Sequence, residues 1–199
     1  MSDTPKNKVK YGLRNVYYAV AAIAADGSAT FGTPVAIPGA VSLSLDAEGE
    51  ITPFRADNID YWTASSNNGY SGDFELALIP ESFKTDVLNM VKDSKGVLYE
   101  TTTGNPTHFA LLFQFEGDVK ATKHVMYNCV ATRPSVSGET TPTGGIEPQT
   151  ETLNITAASI YVSSLGVDIV KASTTEDGDA TTYNGWTSAV YVPAAAATT

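Results

Sequence analysis

The 199-residue sequence has one cysteine, Cys129, and two histidines, His108 and His124. A lone cysteine makes no internal disulfide, so the fold does not depend on an oxidising compartment. Neither histidine has a second ligand at metal spacing, which leaves zinc binding and acid–base catalysis without a framework. Charge is also scarce. Charged residues make up 17% of the chain, below the usual share, and the basic ones are fewer: 12 Lys and Arg against 22 Asp and Glu, a net charge of −10. That balance argues against wrapping nucleic acid by phosphate neutralisation and against an anionic membrane surface. No apolar run approaches the ~18 residues of a membrane span. The opening MSDTPKNKVKYG carries no apolar core of signal-peptide type. The expectation is a protein made in, and first at work in, a cytoplasm.

Catalytic motifs are missing too. There is no Gly-x-Ser-x-Gly elbow, phosphate loop or dinucleotide fingerprint. Asp177-Gly178-Asp179 has half the form of a calcium loop but lacks EF-hand spacing and the closing Glu, and reads as a solvated acidic turn. Asn154-Ile155-Thr156 matches a glycosylation sequon but lies inside a candidate strand. Cys129 alternates with Val125 and Tyr127 and reads as a buried structural thiol. The residues therefore predict no catalytic, cofactor-binding or metal site.

What the chain does have is period-two alternation, the mark of strands. Predicted faces are Val16, Tyr18 and Val20; Val41, Leu43 and Leu45; Phe74, Leu76 and Leu78; Val125, Tyr127 and Cys129; and Leu153 with Ile155. Phe109, Leu111, Phe113 and Phe115 share a face whose reverse is also mostly apolar, which predicts a central strand. Trp186, Val190 and Val192 suggest a last strand. One segment breaks the pattern: Phe83, Val87, Met90 and Val91 recur at helical spacing, with Pro80 before and Gly96 after, predicting a helix over about 81–93 packed on a sheet.

Three segments lack this regularity. Residues 46–70 carry Asp46, Glu48, Glu50, Asp57 and Asp60 against Arg55, yet also Ile51, Phe54, Ile59, Tyr61 and Trp62. Disordered segments are poor in aromatics, so a projecting hairpin ordered by a neighbour fits best. Residues 133–148 and 173–182 read as loops, and the last residues as a frayed tail.

The ordered set of short stretches resembles the major tail proteins of long-tailed bacteriophages with non-contractile tails. The matching stretches are Val9 to Val16, Gly32 to Val35, Ile37 to Val41, Pro53 to Asn58, Asn68 to Asp73, Phe109 to Asp118, Ile146 to Leu153 and Tyr183 to Trp186. The resemblance lapses around Tyr99 to Thr107 and Ser159 to Asp179.

The resemblance implies a mainly β fold: a β-sandwich or barrel-like sheet with one flanking α-helix, a long projecting hairpin and terminal arms. It implies one domain over 1–193, with an N-terminal arm 1–12, a hairpin 46–70, a C-terminal arm of about 171–193 and a flexible tail 194–199. It further implies hexameric rings stacked into a tube in the virion, assembled in the host cytoplasm. DNA passes through the lumen without specific binding. Partners are other copies of the chain, a tape measure protein and terminator or baseplate proteins; no cofactor and no enzymatic activity are expected. The predicted subunit interface is Phe54, Arg55, Asp57, Tyr61, Trp62, Tyr70, Tyr183 and Trp186, rich in the aromatics that interfaces favour. Two other readings compete. One is a β-sandwich ligand-binding module stacking sugars on Tyr61, Trp62, Tyr70 and Trp186. The other is an enzyme whose site the sequence does not display.

Overall fold

The computed structural model describes residues 5–194. In chain order the strands are β1 (Lys10–Ile23), β2 (Ala29–Phe31), β3 (Val35–Ala36), β4 (Ala40–Glu48), β5 (Ile51–Ala56), β6 (Ile59–Ser65), β7 (Gly69–Leu76), β8 (Val91–Lys92), β9 (Leu98–Tyr99), β10 (Phe109–Gly117), β11 (Thr122–Ala131), β12 (Glu151–Ala158), β13 (Ile160–Val162), β14 (Val167–Ile169) and β15 (Lys171–Ser173). The helices are α1 (Glu81–Asp86) and α2 (Ala180–Gly185). Antiparallel pairing builds one sheet in the order β2-β1-β10-β11-β12-β7-β4, with β3 also paired to β1 and β15 to β11. Three hairpins stand apart from it: β5–β6, β8–β9 and β13–β14.

β10 is an interior strand, as its two apolar faces require. Phe109 and Leu111 join one core with Tyr18, Phe74, Leu76, Phe83, Leu153 and Ile155. Ala110 and Leu112 join a second with Val125, Tyr127, Ile160, Val162 and Trp186. The sheet is thus covered on both sides, a sandwich-like arrangement. The first core lies under α1. The second lies under β13–β14 and the C-terminal segment. No charged residue is fully buried among the described residues, and every buried side-chain polar atom there has a hydrogen-bond partner.

Several expected faces break where the register shifts. A bulge between Ala40 and Ser42 puts Val41 in solvent at 50% exposure, and the face becomes Ala40, Leu43 and Leu45. β11 shifts register between its pairs with Phe109 and Leu111, which sends Cys129 to the first core while Val125 and Tyr127 stay in the second. β7 ends at Leu76, so Leu78 is exposed.

The helix is shorter than its periodicity suggested. Phe83 and Val87 are buried as expected, but α1 ends at Asp86. Asn89 adopts φ 54°, and the Val87 carbonyl accepts from the Thr107 amide at 2.8 Å, so the chain turns out of the helix. Val91 is exposed and pairs in β8, and Gly96 serves the β8–β9 turn rather than a helix cap.

Among the described residues, both the segment before β1 and the segment after α2 pack on the body. β1 pairs with β10 from Lys10 onward. Before it, the Asn7 side chain fills the β10–β11 turn: Nδ2 donates to the Lys120 carbonyl at 2.6 Å, and Oδ1 accepts from the Val119 and Lys120 amides at 2.9 and 3.0 Å. A Cβ at Gly117 would lie 2.5 Å from the Asn7 amide atoms, so a larger residue there would displace that side chain. The expected last strand is absent. A second helix, α2, stands before it, with Asp179 as its N-cap accepting from the Thr182 amide at 2.7 Å. Beyond it Trp186 is 3% exposed. The expected tail, apart from Ala194, lies outside the described residues.

Candidate assembly surface

The segment over 46–70 is a hairpin that continues the body's own strands. β4 and β7 pair from Ala40↔Leu76 to Glu48↔Gly69. The Asn68 amide then donates to the Glu48 carbonyl at 2.8 Å and the Ser66 amide to the Glu50 carbonyl at 2.9 Å. β5 and β6 resume the ladder from Ile51↔Ser65 to Ala56↔Ile59. Asp57 and Asn58 close it with φ of 52° and 63°, the two left-handed residues of a type I′ turn, which suits the right-handed twist of the strands. Asp and Asn are among the few non-glycine residues that tolerate this conformation.

Its surface is unusual for a hairpin in water. Ile51 is 71% exposed, Phe54 60%, Ile59 60%, Tyr61 68% and Trp62 61%. Phe54 and Trp62 sit directly opposite, and a bulge at the Phe54/Arg55 step leaves Tyr61 without a partner. Arg55 pairs with Asp60 at 3.2 Å and donates to the Asn58 carbonyl at 3.1 Å. Both charged side chains are well exposed, so that pair contributes little stability. A lone two-stranded hairpin is marginal in water. Five large apolar side chains on one element thus stand in solvent, with Phe54 and Trp62 on one face and Ile51 on the other.

The eight predicted interface residues divide accordingly. Phe54, Arg55, Asp57, Tyr61 and Trp62 come together on the hairpin. Tyr70 is half-buried at its base, its ring 4.5 Å from the Lys171 ammonium. Tyr183 is half-buried between the ammoniums of Lys120 and Lys123, at 4.2 and 4.1 Å, and donates to the Ala121 carbonyl. Trp186 is core: its indole donates to the His124 carbonyl at 3.3 Å and stacks on Tyr191. Tyr183 and Trp186 fasten the C-terminal segment to its own domain. Ile51 and Ile59 belong to the surface and were not among the predicted residues. The signal that could have found them is the Asp-Asn pair between two short alternating runs.

The remaining polar groups are accounted for locally. His108 Nδ1 lies 2.6 Å from Asn128 Oδ1. His124 stacks on Phe113, and burial, with help from Lys10 and Lys171, pushes its pKa down to about 4. Burial pushes the Cys129 thiol up to about 12. Backbone donation from Thr182 holds the Asp179 carboxyl below the usual range. A cleft of about 370 Å³ beside α1 contains Lys84, Glu100, Arg133 and Glu151. Its charges pair with one another: Arg133 with Glu100 at 2.7 Å and Lys84 with Glu151 at 3.9 Å. No group of three or more potential metal ligands gathers among the described residues.

No family model, curated protein or solved structure matches this chain. No helix among the described residues is long and apolar enough to cross a membrane.

Proposed function

We propose that the protein is a structural subunit that assembles with copies of itself, the tail tube protein of a long-tailed phage with a non-contractile tail. Subunits form rings, six to a ring as in the family it resembles. The rings stack into a tube through which DNA reaches the host. Tape measure and terminator or baseplate proteins are its further partners, and the chain performs no catalysis. The observation that carries this reading is the projecting β5–β6 hairpin, whose large apolar side chains are covered by nothing among the described residues. The ordered sequence resemblance supplies the kind of assembly.

Sugar binding is supported less well. Its four proposed stacking residues divide between the hairpin (Tyr61, Trp62), the hairpin base (Tyr70) and the core (Trp186), so they make no common platform. Negative-stain electron microscopy of purified protein tests the proposal. Rings or tubes are expected from the wild-type chain. Replacing residues 50–66 by a short Gly/Ser turn should leave a folded subunit that stays dispersed. A wild-type chain that remains monomeric at high concentration overturns the reading.

A further inference from the structure

A second cleft, of about 330 Å³, opens where β1, β4, β10, β11 and β15 approach one another. Leu43, Leu45 and Met126 give it apolar walls, while Lys10 and Lys171 bring ammonium groups to it. The Lys10 ammonium lies 4.8 Å from the Phe115 ring and that of Lys171 lies 4.5 Å from the Tyr70 ring. Among the described residues neither lysine has a carboxylate in ion-pair contact. The cleft thus presents two ammonium groups, neither of them in an ion pair, beside apolar walls. The cleft has the character of a receptor for a group that is apolar and negatively charged together.

The hairpin tip has that character. Asp57 and Asp60 lie within three residues of each other, beside Ile59 and Tyr61, which are 60% and 68% exposed; Asp60 meets Arg55 through Oδ1 in an exposed pair that contributes little stability and that a second cation can share. A subunit's own tip does not reach its own cleft. The hairpin leaves the body just beyond Leu45 and Tyr70, and seven residues from Glu50 to Asp57 at ~3.3 Å each carry the tip roughly 23 Å further out. The exposure of its side chains shows that it does not fold back.

We infer that the hairpin tip of a second copy seats in this cleft, with the Asp57 and Asp60 carboxylates against the ammoniums of Lys10 and Lys171 and a tip apolar side chain against Leu43 and Leu45. The inference rests on the assembly reading above and names the surface that receives the hairpin. Tip and cleft are different surfaces of one subunit, so the contact is heterologous. Each copy gives a tip and receives one, which propagates a ring or filament where a self-complementary patch would close a pair. The opposed charges also fix the partner, because a like-charge meeting at either end is repulsive.

Charge exchange tests it. All the altered side chains are exposed, and Asn suits the left-handed turn position of Asp57, so Asp57→Asn/Asp60→Lys and Lys10→Glu/Lys171→Glu should both melt near the wild-type temperature. Each variant alone is expected to need about tenfold more protein, or higher still, to assemble, followed by sedimentation and microscopy. An equimolar mixture of the two should recover assembly at wild-type concentration, because each then meets a complementary partner. If both variants assemble like wild type, or the mixture is no better than either alone, the inference is wrong. Loss of assembly when residues 50–66 are replaced, with both charge variants normal, leaves the assembly reading standing and removes this receptor. A wild-type chain that never assembles removes both.

Discussion

Phe83→Ala is the sharpest test of how the subunit is built. Phe83 is 0% exposed and is the deepest contact of α1 with the sheet. Its ring meets Tyr18 edge-on at 5.1 Å and Phe109 at 5.4 Å. Burying a Phe and then truncating it to Ala typically costs ~3–5 kcal/mol, the spread reflecting how far the site collapses. Collapse is poor here. Tyr18 is held from its far end, donating to Asp86 at 2.8 Å, and Phe109 belongs to an interior strand paired on both sides. The two aromatic edges add ~0.5–1.5 kcal/mol each beyond area burial. A cost of about 4 kcal/mol is expected. For a domain of this size, ~2–4 °C per kcal/mol gives a melting temperature lower by roughly 8–16 °C. The assay is thermal unfolding of unassembled subunits followed by circular dichroism, with Phe83→Leu as the control that keeps most of the volume. A drop below ~3 °C for the alanine variant, the scale of a surface change, refutes the packing argument.

Trp62→Ser, on the hairpin, should reverse that pattern, leaving the melting temperature within ~2 °C while assembly measured by sedimentation is lost. Gly117→Ala forces the Asn7 side chain out of the β10–β11 turn, so the Val119 and Lys120 amides lose their acceptor; faster hydrogen exchange at those two positions, with a cost of ~1–3 kcal/mol, is expected. For His124, burial lowers the folded-state pKa from 6.5 to about 4. As pH falls through that window the unfolded chain takes up a proton that the folded chain refuses, so stability is lost by at most ~1.4 kcal/mol per pH unit, less where solvent reaches the ring edge. The stability difference between wild type and His124→Gln should therefore be flat above pH 7 and shift in the variant's favour below pH 6. Free subunits should bind duplex DNA no more tightly than a generic acidic protein, since a tube wall rich in Lys and Arg would grip the phosphates it must let slide; binding that weakens steeply with salt would contradict an acidic lumen.

Alternation located the strands because each has a face that the chain itself buries. Phe109 to Phe115, with both faces apolar, declared its interior place outright. Where sequence reading failed, one residue of register was the cause. At Val41 and around Cys129 a bulge inserts an extra residue, and everything beyond it changes face. Side-chain pattern alone carries no mark of such a bulge, because it is set by the partner strand. The helix failed for a related reason. Its apolar spacing runs on past Asp86, but the Thr107 amide takes the Val87 carbonyl, and a residue twenty positions away ended what local periodicity would have continued. Trp186 was misread in the opposite sense. An aromatic near a terminus looks like an interface residue until the second core and its own α2 are seen to enclose it.

The hairpin carries its large apolar side chains in solvent, and their exposure is informative. Phe54 and Trp62 sit opposite each other on one face of the hairpin, while Ile51, opposite Ser65, lies on the other face. In β10, β12 and β7 the covering atoms belong to the same chain. In β5 and β6 no part of the described chain covers these side chains, although the hairpin is paired on either side of the Tyr61 bulge and its turn has the residues that its geometry needs. Large apolar residues in a strand ask for cover; they do not state by what. A floppy insertion has no reason to keep aromatics in register across two strands, nor to close on two left-handed residues. A surface ordered in advance for a second molecule has both. The hairpin's acidity fits the assembly proposed above, in which Asp46, Glu48, Glu50, Asp57 and Asp60 would hold free subunits apart until their charge is met. On that proposal apolar area supplies the attraction, and the carboxylates restrict it to a partner bearing cations, such as those at Lys10 and Lys171.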